Sequence, residues 1–190
     1  MKQLVLFLEE ASAKAAFEGL LPRVLPEDVT VRYVVFEEKS DLEKQLGKRL
    51  RGWIQPHTAF LVLRDQDAAD CQAVKQKLVH ICQEAGKPCA VVRVACRELE
   101  SWYFGELSAV EKALGIPKLS DQSRKSKYRI PDAIHNPSSE LAKITNGRYQ
   151  KVSGSREIGK FLSPNSANNV SVSFGHFLAG ITKALTHAST

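Results

Sequence analysis

Thr58-Ala59-Phe60-Leu61-Val62-Leu63-Arg64-Asp65-Gln66-Asp67-Ala68-Ala69-Asp70 is the stretch on which the fold turns. An unbroken apolar run ends in a cluster of acids, and a helical pattern through Val74, Leu78, Ile81 and Cys82 follows. Apolar side chains at nearly every position, rather than at alternate ones, mark a strand buried on both faces, the habit of parallel sheets covered by helices. The same unit recurs on either side. Leu4–Leu8 is a first strand (residues 4–8), followed by a helix that Ser12 can cap and that carries Ala15, Ala16, Leu20 and Leu21. A second strand, residues 29–36, is β-branched and aromatic; its helix can be capped by Ser40 or Asp41 and is striped by Leu42, Leu46, Leu50 and Trp53. Thr58–Leu63 (58–63) is the third strand. Gly86-Lys87-Pro88 stops the helix after it, and residues 89–95 form a fourth strand. Strands alternating with helices at this spacing predict an α/β fold over residues 1–100, with a mainly parallel four-stranded sheet flanked by helices.

Residues 101–190 read differently, as a basic, mostly helical C-terminal extension packed on the same domain. Residues 98–114 have a helical pattern closed by Gly115-Ile116-Pro117, and residues 118–138 are polar with no clear period. A short helix near 139–144 and two more at about 156–162 and 174–185 complete the chain. The 190 residues carry 27 Lys or Arg against 21 Asp or Glu. Residues 1–100 hold 15 of each sign, whereas 101–190 hold 12 basic and 6 acidic, so the whole excess of six lies in the second half. A polyanion such as DNA or RNA would feel that half most.

Other classes fall away. No apolar run is long enough to cross a bilayer, and Met1-Lys2-Gln3-Leu4 leads into no cleavage site, which predicts a cytoplasmic protein with no membrane partner. Cys71, Cys82, Cys89 and Cys96 show neither a Cys-x-x-Cys pair nor a histidine at finger spacing, so buried, reduced thiols are expected. The five histidines have no metal-ligand spacing. There is no Gly-x-x-x-x-Gly-Lys-Ser/Thr loop and no Gly-x-Ser-x-Gly elbow, against a P-loop ATPase and a serine hydrolase.

In a parallel α/β sheet, ligands bind beyond the carboxyl ends of the strands. Strand one runs into Glu9-Glu10, strand three into Asp65-Gln66-Asp67, and strand four, after Cys96-Arg97, into Glu98-Leu99-Glu100. Carboxylates brought to one edge repel each other unless a cation neutralises them. A hard ion such as Mg²⁺ (or Mn²⁺) is the usual answer, held by one or two carboxylates while a substrate phosphate and waters supply the rest. In an extended turn, Asp65 and Asp67 would point to the same side and grip one ion. The bland reading is that Asp65, Asp67 and Asp70 are turn and cap residues.

An acid directly after an apolar first strand and Asp-x-Asp after a later one resemble the Toprim fold of topoisomerases, primases and overcoming-lysogenization-defect nucleases. Leu8-Glu9-Glu10-Ala11-Ser12, Leu63-Arg64-Asp65-Gln66-Asp67 and Arg97-Glu98-Leu99-Glu100-Ser101-Trp102-Tyr103 look like an uncharacterised bacterial Toprim-like family, known chiefly as a domain of unknown function and with some members encoded beside ATPases. The resemblance implies a Toprim-like nuclease. Glu9 would act in proton transfer or metal binding, Asp65 and Asp67 would bind Mg²⁺, and Glu98 or Glu100 would complete the metal shell. An ATPase partner, in a defence role, is implied as well. The Glu-Gly-x-x-Glu pattern common among nuclease members is not matched, because Glu10 replaces the glycine and Ala13 the second glutamate.

The basic half suits that picture. Arg124, Lys125, Lys127 and Arg129 can track a phosphate backbone, with Tyr128 for stacking, and Arg148 and Arg156 add to the set. The run 149–156 reads as a turn before a helix, a phosphate cradle in which Lys151 would stabilise charge on a scissile phosphate, or alternatively a solvated loop with a cap at Ser153 or Ser155. Two functions emerge: a Mg²⁺-dependent phosphodiester hydrolase acting on nucleic acid, or a non-catalytic Toprim-like or receiver-like module that binds nucleic acid or an ATPase partner. A receiver domain needs a fifth strand ending in Lys, and none is legible after residue 96.

Overall fold

Leu4 to Leu8 are all fully buried, and an all-apolar strand of this kind is stable only where both of its faces are covered. In the computed structural model, which describes residues 2–188, this run is the inner part of β1 (Lys2–Leu8). Met1 and residues 189–190, the outer ends of the two expected segments, lie outside the described residues. β2 (Val29–Val35), β3 (Thr58–Asp65) and β4 (Val91–Ala95) complete a four-stranded parallel sheet in the order β2-β1-β3-β4. β1 pairs in parallel with β2, Leu8 opposite Val35, and with β3, Leu8 opposite Leu63. The α/β expectation therefore holds.

The chain divides into two compact units. The first comprises the described residues of Met1–Ala11, Pro26–Val94 and His176–Thr190, the second Ser12–Leu25 and Ala95–Gly175. Residues 12–25 thus group with the second half of the chain, and residues from 176 onward with the first.

In the first unit, α2 (Lys39–Arg51) and α3 (Cys71–Glu84) lay Leu42, Leu46, Leu50, Val74, Leu78 and Cys82 against Val5, Phe7, Phe60, Val62, Val92 and Val94 of the sheet. Phe7 is the centre of this layer, with the rings of Phe36, Trp53 and Phe60 6.0–6.4 Å from it or from one another. The later part of α8 (Val172–His187) covers β4: Arg93 Nε donates to His176 O at 2.6 Å, over the bare backbone of Gly180.

The second unit is helical and is built around Trp102, whose ring lies 6.1 Å from Phe17 and 5.4 Å from Phe174. The helix expected over residues 98–114 is two, α4 (Glu100–Phe104) and α5 (Leu107–Leu114), interrupted at Gly105-Glu106. Residues 118–138 are mostly short 3₁₀ turns, which leave no 3.6-residue period to read. α6 (Pro137–Ile144) follows, then α7 (Lys151–Gly159). α1 (Ala11–Leu20) starts one residue before Ser12, which is buried within its first turn rather than capping it.

Candidate functional site

β1 connects to β2 on one side of it, while β3 lies on its other side, so the direction of winding reverses between β1 and β3. A crevice opens at such a reversal, beyond the carboxyl ends of the strands. Glu9 follows the last residue of β1, and Asp65 is the last residue of β3. Their meeting is direct: Glu9 Oε2 accepts a hydrogen bond from the Asp65 backbone N–H at 3.1 Å. Arg64 Nε is 3.8 Å from the same oxygen, and the Arg64 guanidinium also donates to Glu43, itself 2.6 Å from Lys77 Nζ. Burial pushes the Glu9 carboxyl above its ordinary range; the Asp65 N–H opposes this, the Asp67 charge adds to it, Arg64 opposes, and Glu10 adds.

Asp67 belongs to the same acidic edge but not in the extended geometry expected of it. Its φ is +56°, in the left-handed region, and its carboxylate accepts from Lys39 Nζ at 2.9 Å. That hydrogen bond and the Asp67 charge hold the Lys39 ammonium above its ordinary range. Asp70 takes the bland role, capping α3 by accepting from Ala73 N at 2.8 Å. Glu9, Asp65 and Asp67 are therefore gathered at one end of the sheet, as expected, together with two cations that the sequence reading passed over. Arg64 had a signal: an arginine that interrupts an apolar strand, and is 6% exposed, needs a carboxylate. Lys39 had none, since a lysine opening an exposed helix is ordinary.

Glu98 and Glu100 belong to the second unit and have separate local partners. Glu98 Oε2 accepts from Ser138 N at 2.8 Å, at the first turn of α6. Glu100 is fully buried and accepts from Tyr149 Oη at 2.6 Å, with Ser155 Oγ 3.2 Å from the same hydroxyl. Burial, and then the neighbouring Tyr103 and Glu100, push the Tyr149 hydroxyl far above its usual range. The turn expected over 149–156 is a correction: Lys151 opens α7, and Ser153 and Ser155 lie inside that helix. Gly154 makes this possible, because a Cβ there would stand 2.6 Å from the Tyr149 ring.

The basic run is also only partly as expected. Arg124, Lys125, Lys127 and Arg129 are all exposed, as are Arg148 and Arg156. Lys127, however, pairs with Glu140 at 2.6 Å, and Arg124 lies 3.6 Å from Asp121. Tyr128 does not offer a stacking face: it is buried, stacked on Phe104 at 4.8 Å, and donates to Glu140 at 2.9 Å, with its hydroxyl pushed up to about 12 by burial and by that carboxylate. All four cysteines are thiols, none of them in a disulfide. Cys82 is buried, its thiol pushed up to about 11, whereas Cys89 is exposed, against expectation.

The family model described as Domain of unknown function (DUF4276) matches residues 8–182. The chain belongs to the DUF4276 family. No curated protein and no solved structure matches it. The matched span of this DUF4276 chain starts one residue before Glu9 and includes Asp65, Asp67, Glu98, Glu100 and Lys151.

Among the described residues no group of three or more His, Cys, Asp or Glu is arranged to hold a metal. The donor chemistry nevertheless suits a hard ion taken by one or two carboxylates, with the remaining positions left to water and phosphate. The Lys39 ammonium lies 2.9 Å from Asp67, so that carboxylate already has a cation beside it.

Proposed function

We propose that this DUF4276 protein is a metal-dependent phosphodiester hydrolase that acts on nucleic acid. The observation that carries the reading is the position of Glu9: a carboxyl held above its ordinary range, at the winding reversal between β1 and β3, hydrogen-bonded to Asp65 and within the field of Asp67. A base or acid in such a crevice serves best when its affinity for a proton is moved toward neutrality, and burial moves Glu9 that way. Glu9 would take the proton of the attacking water or return one to the leaving oxygen. Asp65 and Asp67 would hold Mg²⁺ or Mn²⁺, which polarises the phosphate and acidifies a bound water. Lys39 would release Asp67 to the ion and turn to the incoming phosphate. The exposed cations of the second unit, Arg124, Lys125, Arg129, Arg148 and Arg156, would attract the polyanion. The Toprim-like succession of Glu9, Asp65 and Asp67 supports this reading.

One observation favours a non-catalytic binding module: Asp67 and Glu9 already have cationic neighbours in Lys39 and Arg64, so the edge is charge-compensated as it stands. Cleavage separates the two. Single-stranded and duplex DNA and RNA are incubated with the purified full chain in Mg²⁺ or Mn²⁺, with and without a candidate ATPase partner. The hydrolase reading expects cleavage that falls by about a hundredfold or more in Glu9→Gln. Absence of cleavage under every condition, or equal cleavage by Glu9→Gln, favours the module.

A further inference from the structure

Asn169-Val170-Ser171-Val172-Ser173 folds inside out. Its three polar residues are buried, while Val170 and Val172 are 64% and 65% exposed. Buried polar groups and exposed large apolar ones are each informative; here they alternate along one short segment. The inversion is held in place. Asn169 Nδ2 donates to Trp102 O at 2.9 Å, and Asn169 Oδ1 accepts from Ser171 N at 3.0 Å. Ser171 Oγ and Ser173 Oγ donate to Asp132 Oδ1 at 2.6 and 3.0 Å, Ser173 N donates to Asp132 Oδ2 at 2.9 Å, and Trp102 Nε1 donates to Ser173 Oγ at 2.8 Å. A Cβ on Gly105 would fall 1.9 Å from Asn169 Oδ1, so the segment seats directly on backbone. Turning it over would bury the valines at the expense of this whole network, which keeps them outside.

Ile130, two residues before the Asp132 that holds Ser171 and Ser173, is 68% exposed as well. Its neighbour Arg129 and Val170 both line one cavity of about 350 Å³, with the stacked pair Phe104 and Tyr128. Arg129 N donates to Ser126 O at 3.4 Å, but among the described residues its exposed guanidinium has no hydrogen bond or ion pair, and the exposed Lys125 lies four residues before it in the chain. Val170 thus shares a cavity rim with Arg129, and Val172 and Ile130 are exposed two residues from the first and one from the second along the chain.

We propose that Ile130, Val170 and Val172, edged by Arg129, form a docking surface for a partner-protein segment that presents aliphatic side chains next to carboxylates. Burial of the aliphatic groups supplies affinity, and pairing of a carboxylate with the Arg129 fork fixes register. Single-stranded nucleic acid suits the surface less, because bases stack on open aromatic faces and the two rings here are buried against each other. A second copy suits it less because both faces would be basic.

The test is a phage-displayed random peptide library selected on the full chain. The proposal expects enriched peptides in which Leu, Ile or Val adjoin Asp or Glu. Labelled forms of these should bind the full chain with a Kd about tenfold or more weaker for Val170→Ser/Val172→Ser, whose melting temperature and any Glu9-dependent cleavage are unchanged, and weaker again for Arg129→Glu. Peptides without aliphatic or acidic residues, or equal binding to the wild type and the double variant, overturn it. So does a concentration-dependent dimer in sedimentation, or an oligonucleotide complex, that the double variant abolishes. Absence of cleavage leaves this result intact, because the surface includes none of Glu9, Asp65 or Asp67.

Discussion

Glu9 sits where its charge is least comfortable. Its carboxyl is drawn above the ordinary range by burial, and folding therefore favours its protonated form. A carboxyl with a raised folded-state pKa makes the folded state bind more protons than the unfolded one, so its charged form costs stability as pH rises through and above that interval, and the cost disappears below the unfolded carboxylate range. Glu9→Gln keeps an oxygen to accept from Asp65 N and removes the charge. It is expected to raise the melting temperature at neutral pH and to leave it unchanged at acidic pH. Thermal scans of both proteins across pH check this; equal melting at neutral pH would mean that Glu9 is not held against its preference. In the proposed hydrolase, such a cost at Glu9 would be the usual trade between activity and stability. Glu9 and Asp65 were legible because each stands directly after an apolar strand. The pairing of Asp67 with Lys39 was not, because it joins residues 28 apart through a left-handed turn that Asp67's sequence neighbours do not signal.

At the scale of elements, continuous burial made β1 and β3 plain from Leu4–Leu8 and from the apolar run after Thr58, and only their ends moved: β3 carries on through Arg64 to Asp65 because Arg64 finds Glu9 and Glu43. The helices of the second unit were harder. Gly154 reads as a helix breaker, yet α7 runs through it because the Tyr149 ring takes the space a side chain would need. Residues 118–138 gave no period because 3₁₀ turns follow a different one. Gly159 ends α7 against α1: a Cβ there would lie 2.1 Å from Ala16 O, a backbone atom that cannot swing aside, and Arg23 Nη2 donates to the Gly159 carbonyl at 2.6 Å. Gly159→Ala is expected to destabilise by about 1–3 kcal/mol through overpacking. Urea titration reads the loss directly; an unchanged midpoint would show that α1 and α7 separate without cost.

For the whole molecule, the charge asymmetry set the nucleic-acid expectation, and the exposed cations of residues 101–190 keep it open to measurement. Neutralising Arg124, Lys125 and Arg156 together should lower the dependence of single-stranded DNA affinity on salt by a slope of about 2, at roughly 0.7 per phosphate contact. Lys127→Ala should change it by less, because Lys127 is already committed to Glu140. Salt-independent binding, or none, would remove that partner. The division into units was beyond the sequence, since residues 12–25 belong with a part of the chain that begins some seventy residues later. In the proposed hydrolase the acidic edge between β1 and β3 takes a divalent cation. Calorimetric titration of Mn²⁺ into the full chain, and into Asp65→Asn/Asp67→Asn, tests this most directly. Saturable binding by the wild type that the double variant loses is the predicted result; no binding, or identical binding by both proteins, would contradict it.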